Sequence, residues 1–324
     1  MPVVRKGHTN RRRTMTGVEL NLRTGVDLFA GMGGFSEGAT AAGLDVLWAA
    51  NHWPAAVAVH AQNHPRTKHL IQDLHEADWT QVPAHDVLMA SPACQGHSRA
   101  RGKDRPHHDA ARNTAWAVVN AAEVLRPPVI ICENVPEWTS WVLMPAWRMA
   151  LEALGYSLAD HIVDAADHGV PQHRVRVFIV ATLSRKPLHL KLPQRPHQPA
   201  DSIIQWDAGR WSPVEKPGRA QATLERIRAG RAEHGPRHLI SYYGNSKNGR
   251  SIHRPVGTIT TRDRHAIIDG DRMRMLSADE CRAAMGFRPD YQLPRTHRES
   301  VFMLGNAVAP PVVTDVINAV RSQA

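Results

Sequence analysis

Asp27-Leu28-Phe29-Ala30-Gly31-Met32-Gly33-Gly34-Phe35 reads as the end of a buried strand, a glycine turn and the start of a helix. Glycines at a strand's carboxyl end let the backbone approach a ligand closely. The turn is not the full dinucleotide fingerprint, because the third glycine position counted from Gly31 holds Ser36. A nucleoside-bearing cofactor is favoured over an empty structural turn. Working outward, short apolar runs predict strands at Val26–Phe29, Val46–Ala50, His69–Ile71, Asp86–Ala90, Val129–Glu133, Ser157–Val163 and Arg176–Ala181. Helices are predicted between them at Phe35–Ala42, Pro54–Asn63, Thr114–Leu125 and Met144–Leu154, with Pro54 suited to a first helical position and Gly155 to a stop. Alternating strands and helices of this kind specify an α/β fold on a parallel sheet, with ligand chemistry at the carboxyl edge.

The chain has 324 residues, room for one large domain or two modest ones. Its 42% apolar content suits a globular protein, and no apolar run approaches the roughly 18 residues of a membrane span, so no membrane partner is expected. A formal charge of +10 favours a polyanionic partner. Part of the excess sits in residues 1–20, where Arg5, Lys6, Arg11, Arg12 and Arg13 make a basic arm that is expected to be disordered and lacks the apolar core of a signal peptide. Three cysteines without Cys-x-x-Cys spacing exclude a disulfide framework and fit a reducing cytoplasm. The 20 histidines show no zinc spacing, so no metal centre is expected.

Residues 21–184 form the predicted catalytic and cofactor-binding domain. Composition then shifts: residues 185–252 are rich in Pro, Arg, His and Gln, with one helix candidate at Ala222–Ala232. Trp206, Trp211, Tyr242 and Tyr243 give this small irregular domain something to pack or stack. Residues 253–324 read as a supporting segment, with a capping box (Ser277 and Glu280) opening a helix at Ser277–Met285 and a last helix at Val312–Val320 behind Pro310-Pro311.

Cys132 and Cys281 fall inside a strand and a helix and read as core residues. Cys94 differs. It follows the strand Asp86–Ala90 in the loop Ser91-Pro92-Ala93-Cys94-Gln95-Gly96-His97-Ser98, and Arg99, Arg101, Lys103 and Arg105 follow closely, a setting that favours thiolate. Glu133 ends a parallel neighbour strand on the same predicted edge, before Asn134-Val135-Pro136.

Taken together, these segments resemble the DNA (cytosine-5) methyltransferase family of bacterial or bacteriophage type, in order over nearly the whole chain after Thr24. The Asp27–Phe35 stretch resembles the cofactor motif, Pro92–Ser98 the nucleophile loop, and Glu133-Asn134-Val135 the glutamate motif. Gly169-Val170-Pro171-Gln172-His173-Arg174-Val175-Arg176 resembles the Gln-x-Arg-x-Arg motif, Arg254–Thr260 the motif that supports target recognition, and Gly305–Pro311 the closing motif.

The resemblance implies a Rossmann-like S-adenosylmethionine-dependent methyltransferase fold, with residues 185–252 as the target-recognition domain. It implies a DNA (cytosine-5-)-methyltransferase whose Cys94 thiolate adds to C6 of a flipped cytosine, since C5 alone is a poor nucleophile toward a methyl sulfonium. A protonated Glu133 would donate to N3, and Arg174 or Arg176 would sit near O2. The implied cofactor contacts are Asp27, Phe29, Ala30, Gly31, Gly33, Gly34, Asn51, His52, Asp73, Asn306 and Ala307. Gln95, Ser98, Arg99, Arg101 and Lys103 would meet double-stranded DNA. The implied setting is the cytoplasm of a bacterium, with the protein acting as a monomer of restriction-modification type; a cognate restriction endonuclease would leave no mark in this chain. Two departures stand out: Ala93 precedes the cysteine where the family has proline, and Asn51-His52 occupies the place of the usual ribose-binding acid. An RNA cytosine methyltransferase of the same fold and a non-catalytic DNA-binding relative are the alternatives.

Overall fold

Val87-Leu88-Met89-Ala90 and Val129-Ile130-Ile131-Cys132 are apolar at every position, the pattern of strands covered on both faces. In the computed structural model, which describes residues 20–93, 114–243, 246 and 248–323, they lie side by side in the middle of a seven-stranded sheet. Its strands are β1 Thr24–Leu28, β2 Asp45–Asn51, β3 Lys68–Ile71, β4 Val87–Ala90, β5 Val129–Asn134, β6 Ser157–Asp164 and β7 Val175–Thr182. The spatial order is β3-β2-β1-β4-β5-β7-β6. The chain therefore reverses its direction of winding between β1 and β4, and the crevice at their carboxyl ends is where an open α/β sheet takes its ligand.

The sheet is not wholly parallel. β7 runs antiparallel to both β5 and β6. The link from β6 to β7 is too short for the crossover helix a parallel return needs; it is a 3-10 turn at Ala165–His168 closed by Gly169.

Alternate residues of each strand enter opposite cores. Val87, Met89, Val129 and Ile131 face one side with Phe35 of α1 (Gly34–Ala41), Val59 of α2 (Pro54–Asn63) and Val316 of the closing helix. Leu88, Ala90, Ile130 and Cys132 face the other, against Val118 and Ala122 of α3 (Trp116–Leu125) and Trp147 of α4 (Met144–Ala153). Burial pushes the Cys132 thiol far above its ordinary range, as for a core residue.

Residues 185–252 prove more regular than their composition suggests. α5 (Gln221–His234) covers an antiparallel sheet of β8 Ser212–Pro213, β9 Arg237–Ser241, β10 His265–Asp269 and β11 Arg272–Met275, ordered β8-β11-β10-β9 around a small core of Val214, Ile227, Ile240, Ala266, Ile268 and Met273. Two of its strands come from beyond residue 252. The chain closes with α6 (Ala278–Ala284), α7 (His297–Asn306) and α8 (Pro310–Gln323), the last starting on Pro310-Pro311 and packing along α1. The stretch His297–Gln323 is long and apolar enough to cross a bilayer, but 72% of its apolar window is buried inside the fold.

Candidate active site

A cavity of about 410 Å³ opens at the carboxyl ends of β1, β2, β4 and β5. Phe29, Ala30, Gly31 and Gly34 from the glycine turn line it, with Asn51 and His52 after β2, Ser91, Pro92 and Ala93 after β4, Glu133 and Asn134 of β5, and Asn306 and Ala307 at the end of α7. The turn is tight: Phe29 and Gly31 have positive φ, 59° and 54°. A side chain at residue 34 would begin 2.3 Å from the Val308 carbonyl oxygen, so the glycine there lets the closing motif seat against the turn.

Two residues implied by the family pattern support the turn instead of facing the cavity. Asp27 is fully buried, and its Oδ2 accepts from the Ser36 backbone N–H (3.1 Å) and hydroxyl (2.7 Å). Gly33, with φ 102°, packs under Tyr291, where a Cβ would lie 2.5 Å from the phenol oxygen. Asp73 does not reach the cavity wall either; it is exposed and caps the 3-10 turn Leu74–Glu76, accepting from the His75 N–H at 3.0 Å.

Trp53 and Phe302, which the motif reading passed over, complete the wall in an edge-to-face pair with centroids 5.5 Å apart and planes at 89°. The available signal for Trp53 was an aromatic residue directly after Asn51-His52 and before Pro54. The Asn51 Oδ1 accepts from the Trp53 N–H at 2.9 Å, which holds this corner and leaves the amide NH2 without a hydrogen-bond acceptor among the described residues. Aromatic walls, a glycine turn and a few polar groups suit a nucleoside-bearing cofactor such as S-adenosylmethionine.

Among the described residues that line this cavity Glu133 is the carboxylate, 6% exposed at the end of β5. Burial raises its pKa, with Arg176 and Arg174 pulling the other way, so the net direction is upward. The Arg176 Nε lies 3.1 Å from its Oε1. Arg174 lines the same cavity, but its guanidinium donates to the carbonyls of Ile259 (3.2 Å), Gly305 (3.0 Å) and Ala307 (2.7 Å). The two arginines differ in their contacts. Arg174 ties the start of β7 to the closing motif through these carbonyls, and Arg176 is the guanidinium beside the carboxylate. The Asn134 Nδ2 donates to the Pro92 carbonyl at 3.0 Å, joining the glutamate strand to the loop after β4.

Cys94, Gln95, Ser98, Arg99, Arg101 and Lys103 lie outside the described residues, as does the basic arm up to residue 19. Ala93, one peptide bond before the cysteine, is a wall residue whose N–H donates to the Thr114 hydroxyl at 3.0 Å. Among the described residues no cluster of His, Cys, Asp and Glu is arranged to hold a metal ion.

Behind the glycine turn lies a polar layer that joins α1, α2, β3 and the segment after α6. His60 shares hydrogen bonds with His69 (2.7 Å) and Ser36 (2.9 Å); Tyr291 donates to the Met32 carbonyl; Arg288 pairs with Glu37. Desolvation lowers His64 from 6.5 to about 3 and His69 to about 4, with the neighbouring His60 adding to both. Both rings are therefore neutral in the fold at pH 7. The unfolded chain binds these protons first as pH falls through 6.5, so stability is full above 6.5 and declines toward the folded values. Urea midpoints are expected to drop between pH 6.5 and 4.5, and His64→Asn to flatten that slope; an unchanged slope would remove His64 from the account.

Comparison with known proteins agrees with this geometry. The sequence model of the family described as C-5 cytosine-specific DNA methylase matches residues 23–322. The type II methyltransferase M.MspI from Moraxella sp is 26% identical over 306 residues, covering 90% of this chain and 68% of its own length. M.AgeI from Thalassovita gelatinovora is 35% identical over 166 residues, covering 48% of this chain and only 38% of its own. The solved structure of Spodoptera frugiperda DNMT2 superposes with a TM-score of 0.69 at 17% identity, covering 92% of this chain and 99% of that one, a likeness of fold.

Proposed function

Because this chain belongs to the C-5 cytosine-specific DNA methylase family, we propose that it transfers a methyl group from S-adenosylmethionine to C5 of a cytosine turned out of duplex DNA, working as a single chain in the cytoplasm. The observation that carries this reading is the meeting of Glu133, Arg176 and the wall residue Ala93 in one cavity with the glycine turn. The ring faces of cytosine are covered in a duplex, so the base must leave the stack at a cost of a few kcal/mol.

Phe29, Trp53, Asn51, His52 and the turn from Ala30 to Gly34 hold the cofactor, which supplies an electrophilic methyl group when bound. Cys94, joined by one peptide bond to Ala93, is the nucleophile that adds to C6. Negative charge then grows on the ring, and Glu133, whose pKa burial shifts upward, donates to N3 in its acid form while Arg176 stabilises the O2 edge. Arg174 and Asn134 keep these groups in register through their carbonyl bonds. After methyl transfer, loss of the C5 proton and expulsion of the Cys94 thiolate restore the aromatic base.

DNA from cells expressing the protein is expected to contain 5-methylcytosine by nucleoside mass spectrometry. A modification on cytosine N4 or adenine N6 would overturn the mechanism, and labelling of transfer RNA but not DNA by the purified protein would move the substrate to RNA.

A further inference from the structure

The Trp53–Phe302 pair has a second side. Beyond it lies an open groove of about 730 Å³, lined by Arg262, Asp263, Arg298 and Glu299 as well as by the two aromatic rings. The acids of this groove are already engaged: Asp263 with His297 at 3.0 Å, and Glu299 with the Thr296 hydroxyl at 2.7 Å in the cap of α7. Arg262 and Arg298 are exposed and have no ion-pair or side-chain hydrogen-bond partner among the described residues. Arg237 and Arg272, by contrast, both close on Asp269.

The two free guanidiniums stand on separate segments that are both fixed to the active cavity. Thr260 and Thr261 pack so closely on Gly305 that a Cβ there would meet their backbone at 2.3–2.5 Å, and the Thr260 hydroxyl donates to the Arg262 carbonyl at 3.0 Å. Arg298 rides on the first turn of α7, whose last residue, Asn306, lines the cavity. Because Thr296 already caps the Glu299 N–H at 3.2 Å, the attraction of this groove for anions resides in the side chains and not in the helix end.

We propose that Arg262 and Arg298 bind the phosphodiester backbone of the duplex that carries the target cytosine, a role that rests on the reading of the chain as a DNA methyltransferase. Two guanidiniums on a groove that shares the Trp53–Phe302 wall with the active cavity would hold the strand in register through its phosphates without reading sequence.

The test is the salt dependence of binding to two duplexes of unrelated sequence, for the wild type, Arg262→Gln, Arg298→Gln, the double variant and the double Arg→Lys variant. S-adenosylmethionine binding serves as the control for folding. Each Arg→Gln change is expected to make the slope of log K against log salt shallower by about 1, equally on both duplexes, and the lysine variant to keep the wild-type slope. A wild-type slope in the double Gln variant would overturn the proposal, as would a loss confined to one sequence, which would mark base reading. A wild type that binds cofactor but no DNA would instead overturn the function on which the proposal rests.

Discussion

Glu133→Gln is expected to slow methyl transfer by roughly 100- to 10,000-fold, the usual worth of a positioned general acid. The substitution keeps size and shape at the end of β5 and removes only the acidic proton. The side chain is 6% exposed, and burial raises its pKa despite the neighbouring arginines, so its acid form persists to higher pH than that of an exposed glutamate. The sign of the pH effect follows: single-turnover rates should fall as pH rises through the raised pKa, because the donor to N3 is lost, and this alkaline limb should vanish in Glu133→Gln. Cofactor affinity reports that the cavity survives. A Glu133→Gln enzyme within tenfold of wild type, with the same pH profile, would show that the carboxyl group does not protonate the ring.

Glu280→Ala is expected to destabilise the protein by about 3–5 kcal/mol, the cost of removing one partner of a buried ion pair. Glu280 is fully buried, and its carboxylate accepts from both terminal nitrogens of Arg274 at 2.7 Å, from the Ser277 N–H at 2.7 Å and from the Gln205 N–H at 2.8 Å. These donors hold its pKa below the ordinary carboxylate value against the opposing effect of burial. One side chain thus caps α6, anchors β11 of the small sheet and fixes the segment at Gln205. Removing it leaves a buried guanidinium without its counter-charge and opens the helix cap. Denaturant unfolding should show the loss. A change below about 1 kcal/mol would mean that the pair is replaced by water or by another acid.

The sequence announced half of this arrangement. The Ser277-x-x-Glu280 capping box was readable as a pattern and is present, with both reciprocal bonds formed. That the same Glu280 neutralises Arg274 was not readable, because an arginine in a short strand looks like a surface residue until its partner is placed. The arginines of Arg237–Ser241 and Arg272–Met275 hid the small sheet in the same way. The central strands were legible because two-sided burial leaves unbroken apolar runs, and every predicted strand of the large sheet occurs within two residues of its expected ends. α7 went unread although Thr296 and Glu299 carry the same capping signature as Ser277 and Glu280.

At the site, the motifs pointed to the right edge of the sheet but did not assign the duties of individual side chains. Arg174 and Arg176 are equivalent in the pattern; only contacts to carbonyls at residues 259, 305 and 307 divide them into a strut and a partner for Glu133. Asp27 and Asp73 matched motif positions, yet one bonds to Ser36 beneath the turn and the other caps its own 3-10 turn. Contacts across such separations depend on the tertiary fold and leave no local period to read.

The central claim is covalent catalysis by Cys94, and the most direct measurement uses duplex DNA in which the target cytosine carries fluorine at C5. After addition at C6 and methyl transfer, no proton remains at C5 to be lost, so the thiolate cannot be expelled. Intact-mass and peptide mass spectrometry are expected to find the methylated nucleotide attached through Cys94, with no adduct in Cys94→Ala. Formation of 5-methylcytosine on ordinary DNA by Cys94→Ala, or an adduct mapped to any other residue, would contradict the account.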